Sequence, residues 1–203
     1  MTKAEDTTKS DINFLFEMGT IRYIDRMWRR FLSKDFANLA EHHFRVFLIA
    51  MTIATHEKNV DTGKIAKLVM VHDIAESRDG DVDYLARQYV ERNEELGIHD
   101  MLGDTILEEE FLELWEEYEE RKTLEAKIVK DDDNLDCDFE YAEQAAQGNT
   151  LFNEMATMRV ENVRPRLFTD TAKHLFDEME KANPHNWHSK GRNRSNQGDW
   201  KNK

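Results

Sequence analysis

One cysteine, two prolines and no long apolar run are the scarcities that bound this chain. A lone Cys137 cannot close an internal disulfide and fits a reducing compartment. Nothing basic adjoins Cys137, so it reads as a small buried apolar group and not as a nucleophile. Two prolines in 203 residues, 34% of them charged, favour long solvated helices with short connections. No stretch approaches the ~20 apolar residues of a membrane span. Residues 1–6 lack the apolar core of a signal peptide. A soluble, cytoplasmic protein is expected. Positive charge is scarce too: the net charge is −14. That argues against a nucleic-acid polymer as partner, because phosphate backbones need a basic face. A small phosphate ligand held by a metal and one or two local arginines stays open.

What is present is helical spacing. From Ser10, the residues Ile12, Leu15, Phe16, Ile21, Ile24, Met27, Trp28 and Phe31 predict a helix with one broad buried face, kinked at Gly19. Asp35 is expected to cap a second helix to about Ala54, with Leu39, Val46, Phe47, Ala50 and Ala54 buried. A third begins at Asp61 or Thr62. Residues 82–120 read as two more, and another starts near Thr123. Residues 167–182 close the body, with Leu167, Phe168, Leu175, Phe176 and Met179 buried and Pro184 preventing continuation. The tail, 183–203, is rich in Asn, Gly, Lys, Arg and Ser and is expected to be disordered in isolation, with Trp187 and Trp200 as candidate anchors. No repeat or strand alternation is visible. The expected fold is all-α, a single domain over residues 10–182.

Chemistry concentrates in residues 68–81, an apolar helix that ends in acids. His72 and Glu76 are four residues apart, so one helix face can carry both into one pocket. Neighbours diverge by about 100° around a helix axis. His72 and Asp73 therefore meet only across something between them, such as a metal ion reached from two sides. Gly80 breaks the helix and Asp81 follows. The alternative is an amphipathic helix that ends in solvated acids. Earlier, Glu41-His42-His43-Phe44-Arg45 offers two adjacent imidazoles, of which at most one can face a given metal. Later, Asp131-Asp132-Asp133-Asn134-Leu135-Asp136 crowds a helix interior with carboxylates that repel one another. A metal would relieve that crowding; an exposed acidic surface and a hard-cation loop are the alternatives, although EF-hand spacing is absent. Residues 22–30 are basic and aromatic, either an anion contact or a surface arginine cluster.

These segments resemble the HD-domain metal-dependent phosphohydrolases. Asn38-Leu39-Ala40-Glu41-His42-His43-Phe44-Arg45 is similar to the Ser-Val-Ala-Glu-His-x-x-Arg segment around that family's first ligand. Val71-His72-Asp73-Ile74-Ala75-Glu76 with Gly80-Asp81 is similar to its central His-Asp-x-x-Glu…Gly-Asp segment, and Glu125 to Asp133 to the segment with its last ligand. Over roughly residues 12–147 the chain looks like the small 5′-deoxynucleotidase branch. The resemblance implies a helical bundle around one divalent ion held by His42, His72, Asp73 and Asp133. It is the resemblance that selects His42 over His43 and Asp133 over its neighbours. Two imidazoles and two carboxylates suit Mn²⁺, Co²⁺, Zn²⁺ or Fe²⁺.

The same resemblance implies catalytic roles for Glu76 and Asp81, a phosphate contact from Arg26, a sugar contact from Trp28, and a homodimer. The chain departs from the family's usual Arg-x-Gly-Trp or Arg-Trp, reading Asp25-Arg26-Met27-Trp28-Arg29-Arg30. The additional Arg29 and Arg30 suit a longer phosphate chain. A triphosphohydrolase of the same fold and a metal-stabilised, non-catalytic interaction protein are the rival expectations.

Overall fold

The computed structural model describes residues 6–190. Among them there is no strand, only an isolated antiparallel bridge between Asp25 and Asn38. The α-helices in chain order are α1 (Thr8–Met18), α2 (Leu39–His56), α3 (Thr62–Val71), α4 (Glu76–Asp79), α5 (Glu94–Leu102), α6 (Glu108–Glu120), α7 (Leu124–Ala146), α8 (Leu151–Asn162), α9 (Asp170–Met179) and α10 (Asn186–Ser189). The all-α fold expected from the helical spacing, and the bundle that the family resemblance implies, are what is found. Its centre is α2, α3 and α7, each packed on the other two, with α6 and α9 against them.

Each central helix begins at a cap. Asn38 accepts from the Glu41 amide at 3.0 Å, and the Glu41 side chain accepts from the Asn38 amide at 2.9 Å. Both ends of this reciprocal box satisfy amides that a helix start leaves open. Asp61 caps α3 through the Lys64 amide, and Thr123 caps α7 through the Ala126 amide. Behind the caps, Val46, Ala50 and Ile53 of α2 meet Leu68 and Val69 of α3 and Ile128 and Leu135 of α7 in one core. Burial of each large aliphatic side chain stabilises by about 1.5–3 kcal/mol.

Several expectations need correction. Asp35 is exposed and caps nothing; α2 starts three residues later because the box needs the Asn38–Glu41 spacing. The first helix does not continue past Gly19. Instead Leu39 donates to the Ile24 carbonyl at 2.9 Å and Arg26 to the Ala37 carbonyl at 3.3 Å, which pins residues 24–26 as extended chain between two short 3-10 helices. Its apolar face is not broadly buried either: Phe14 is, while Ile12, Leu15 and Phe16 are exposed. Residues 82–93 form a loop with one 3-10 turn in place of a helix. The helix α8 had no counterpart in the periodicity, and α9 is shorter than expected because Thr169 caps it, leaving Phe168 exposed. Residues 183–190 include α10, with Trp187 exposed. Trp200 lies outside the described residues.

The cap assignment is open to test by denaturant unfolding. Asn38→Ala is expected to cost about 1 kcal/mol, and Asp35→Ala less than about 0.5 kcal/mol. Equal losses would return the cap to Asp35.

Candidate metal centre

The helix α3 stops at Val71, not beyond Glu76 as its spacing predicts. Residues 72–75 form a tight turn, closed by the Glu76 amide donating to the Asp73 carbonyl at 3.1 Å, before the short α4 begins. His72 keeps helical dihedrals at the end of α3, and its Nε2 lies 3.4 Å from Asp73 Oδ2, the two side chains converging from different directions. His42 enters from α2, with its Nε2 3.3 Å from His72 Nε2 and 3.5 Å from Asp73 Oδ2. Asp133 enters from α7, its Oδ1 3.5 Å from His42 Nε2. One donor atom from each of the four lies within 4.8 Å of the other three.

Ligands about 2.1 Å from a common ion, 90–110° apart, stand about 3.0–3.4 Å from one another. The four separations given above, 3.3–3.5 Å, lie close to that range. The chemistry of the donors fits too. His72 Nδ1 is bonded to the Val69 carbonyl at 2.7 Å, so that nitrogen carries the proton and Nε2 presents its lone pair. His42 Nδ1 is bonded to Asp136 Oδ2 at 2.6 Å, with the same result. Burial by itself would raise the Asp73 pKa, but His72, His42 and Arg26 hold its carboxyl well below the usual range. Burial likewise opposes ionisation of Asp133, and Lys130, 2.6 Å away, leads the charges that keep its pKa low. By geometry and donor set these four residues could hold a divalent metal ion.

His43 is not among them. Its Nδ1 is bonded to the Leu39 carbonyl, and burial, with His72 and His42 nearby, pushes its pKa down to about 3. It is a neutral core imidazole.

Beside the four donors opens a cavity of about 270 Å³ whose walls include Arg26, Asp73, Glu76, Asp81 and Arg92. Arg26 is buried, with Nη1 3.3 Å from Asp73 and Nε 3.4 Å from Asp81. Asp81 also accepts from the Met27 amide at 3.0 Å, so it anchors the extended segment that delivers Arg26. Gly80 makes this possible: at φ 76° it sits where a side chain would strain the backbone. Burial, then Asp73 and Asp81, push the Glu76 carboxyl well above the usual range. Its Oε1 accepts from Arg92 at 3.3 Å, while Oε2 is buried without a partner. Cys137 is buried as expected, and burial raises its thiol to about 12, but the expectation that nothing basic lies near it fails: Arg26 Nη2 donates to its Sγ at 3.8 Å.

An adjoining cavity of about 200 Å³ shares Arg26 and Asp81 and adds Trp28 and Tyr84, whose rings lie 5.9 Å apart. Arg29 and Arg30 line neither cavity. Arg29 donates to the Phe36 carbonyl and pairs with Asp25, and Arg30 pairs with Asp83 at 3.0 Å. The sequence argument for a longer phosphate chain therefore loses its residues. Sequence reasoning missed Arg92, which no spacing announces, and Asp136 and Arg45, which follow Asp133 and His42 by one helical turn each.

A family model described as HD domain matches residues 18–176. The 5′-deoxynucleotidase HDDC2 of Danio rerio is 31% identical over 131 residues, 62% of this chain and 64% of that protein. The chain thus spans a little under two thirds of that relative's length. The human protein of the same name is 30% identical over 143 residues, 66% of this chain and 68% of its own. Among solved structures, a predicted metal-dependent phosphohydrolase from Magnetospirillum magnetotacticum MS-1 superposes with a TM-score of 0.69 at 21% identity, covering 87% of this chain and 92% of that one. A conserved hypothetical protein from Pyrococcus furiosus gives 0.67 at 24%, covering 84% and 99%. At those identities the two structures speak to the fold.

Metal binding is measurable without any substrate. Zn²⁺ at about a hundred times its Kd should stabilise chelator-treated protein by about 2.7 kcal/mol, read as a rise in Tm. His42→Gln and Asp133→Asn should abolish the rise, and His43→Gln should keep it. A rise lost in His43→Gln alone would move the site.

Proposed function

The chain belongs to the HD domain family, and from that premise we propose that it is a metal-dependent phosphohydrolase that removes the 5′-phosphate of deoxyribonucleoside monophosphates. The observation that carries this reading is the meeting of four donors, His42, His72, Asp73 and Asp133, of which Asp73 and Asp133 line a cavity that also holds Arg26 and Glu76. The names of the curated relatives favour the same substrate class. The four residues hold one divalent ion, of which Mn²⁺, Co²⁺, Zn²⁺ and Fe²⁺ suit two imidazoles and two carboxylates. When bound, such an ion lowers the pKa of water and polarises a phosphoryl oxygen.

The protein's own groups do the rest. Arg26 is always charged and offers donors to the phosphate oxygens, where phosphoryl transfer gains most from positioned positive charge. Asp81 holds that guanidinium in place at 3.4 Å and lines the cavity near the reaction centre. Glu76, whose carboxyl is pushed well above the usual range by burial, Asp73 and Asp81, orients the attacking water or relays a proton to the leaving 5′ oxygen. Trp28, wedged edge-on against Tyr141 at 5.5 Å, presents a rigid wall to the sugar. Tight contact at C2′ would exclude a ribose hydroxyl. The partner is a nucleotide, not a nucleic-acid polymer. The working form is a cytoplasmic homodimer, to which exposed Phe16 and Phe44 offer apolar surface.

A phosphate-release screen over deoxynucleotides with Mn²⁺ or Co²⁺ tests this. Inorganic phosphate from monophosphates is expected. Pyrophosphate or triphosphate from triphosphates would overturn the substrate, and no product from any nucleotide would overturn the activity. Glu76→Gln should keep its metal and lose about 10²–10⁴-fold in rate, whereas Asp73→Asn should lose metal and rate together.

A further inference from the structure

The two imidazoles at the metal centre are oriented by different means. His72 and the neighbouring His43 each bond Nδ1 to a backbone carbonyl of their own helix, Val69 at 2.7 Å and Leu39 at 2.9 Å. His42 bonds Nδ1 to a side chain, Asp136 Oδ2, at 2.6 Å. The other oxygen of that carboxylate, Oδ1, is 2.7 Å from Arg45 Nε. Arg45 is held in turn by Glu143 at 2.7 Å and stands 3.9 Å from Glu140. A line of alternating charge thus runs inward, Glu143 to Arg45 to Asp136 to His42. Asp136 is 1% exposed, whereas the Arg45 side chain is 27% exposed.

The spacing explains why the line exists. Arg45 follows His42 by three residues on α2, and Asp136 follows Asp133 by three on α7. Residues one turn apart share a helix face. The two helices that bring a ligand each to the centre therefore bring a supporting group alongside it.

We propose that Asp136 is a positioning residue for the metal centre, fixing the His42 ring with its proton on Nδ1 and its lone pair on Nε2, and that Arg45 holds Asp136 in the orientation this needs. The inference rests on the metal-site reading above and not on the identity of the substrate. A carboxylate can only accept from Nδ1–H, so it enforces one tautomer. An amide at the same position can also donate, which would move the proton to Nε2 and block the ligand atom. Arg45 holds the carboxylate by charge, its Nε 2.7 Å from Oδ1 without hydrogen-bond alignment, while Oδ2 faces His42 Nδ1.

The test is Zn²⁺ affinity of the full chain by competition with a chromogenic chelator, together with imidazole N–H resonances of the zinc-bound protein. Asp136→Asn is expected to weaken Zn²⁺ binding about 10–100-fold, and Asp136→Glu to recover part of the loss. Arg45→Gln should weaken it by a smaller factor, and should add nothing in the Asp136→Asn background. The His42 Nδ1–H signal should vanish in Asp136→Asn while that of His72 persists. Wild-type affinity in Asp136→Asn would overturn the proposal, as would additive losses from the two positions. Arg45→Gln tests it alone if Asp136→Asn does not fold: unchanged affinity would then refute the relay. Wild-type protein that binds no Zn²⁺ would instead defeat the metal-site reading itself.

Discussion

A regular α-helix cannot aim two consecutive side chains at one point, because each residue rotates the next by about 100°. After Val71 the chain tightens into turns closed by i→i+3 bonds, which keep consecutive side chains apart at the backbone, so His72 and Asp73 reach their common point from two sides. In the turn over residues 72–75, His72 and Asp73 face the same place, 3.4 Å apart, and the chain then leaves through the short α4 toward Gly80 and Asp81. This path brings Glu76 beside the cavity, and Asp81 close enough to hold Arg26.

The second constraint is the cost of buried charge. An ionised carboxylate removed from water without a partner loses several kcal/mol of solvation. The helix α7 carries a run of them through the core, and each has its own solution. Asp131 accepts from the Phe168 and Thr169 amides and the Thr169 hydroxyl, which ties α9 to α7. Asp133 pairs with Lys130, Asp136 with Arg45 and His42, and Asp138 with Arg159. Asp132 has no partner on either oxygen, and burial, then Asp133, push its pKa well above the usual carboxylate range. The run is therefore neither an exposed acidic surface nor a cation loop. It is a helix whose carboxylates are dealt out to different neighbours, with one turned to the metal centre.

The cations that matter lie inside an acidic protein. Arg26, Arg45 and Arg92 each sit between carboxylates, and Arg159 between Asp138 and the Asn134 carbonyl, so each guanidinium fork serves two or more acceptors. The surface arginines Arg29 and Arg30, which look equivalent to Arg26 in the sequence, are committed to Asp25 and Asp83. Local composition cannot separate them, because the extended chain at Arg26 is set by its bonds to residues 37–39 far along the sequence.

The sequence by itself determined that the fold is all-α, where α3 and α7 begin, and which segments carry the donors. These are local matters: helical spacing of apolar residues, a capping side chain at Asp61 or Thr123, and a motif order that survives without any knowledge of packing. Tertiary structure alone decided that the first helix ends at Met18, that α2 is capped by Asn38, that α3 breaks at His72, and that Arg26 enters the cavity while Arg29 and Arg30 do not. It also decided that Asp136 and Arg45 stand behind His42. Those outcomes depend on contacts between residues up to about a hundred positions apart, where the energy of pairing a buried charge or satisfying a distant carbonyl outweighs local preference.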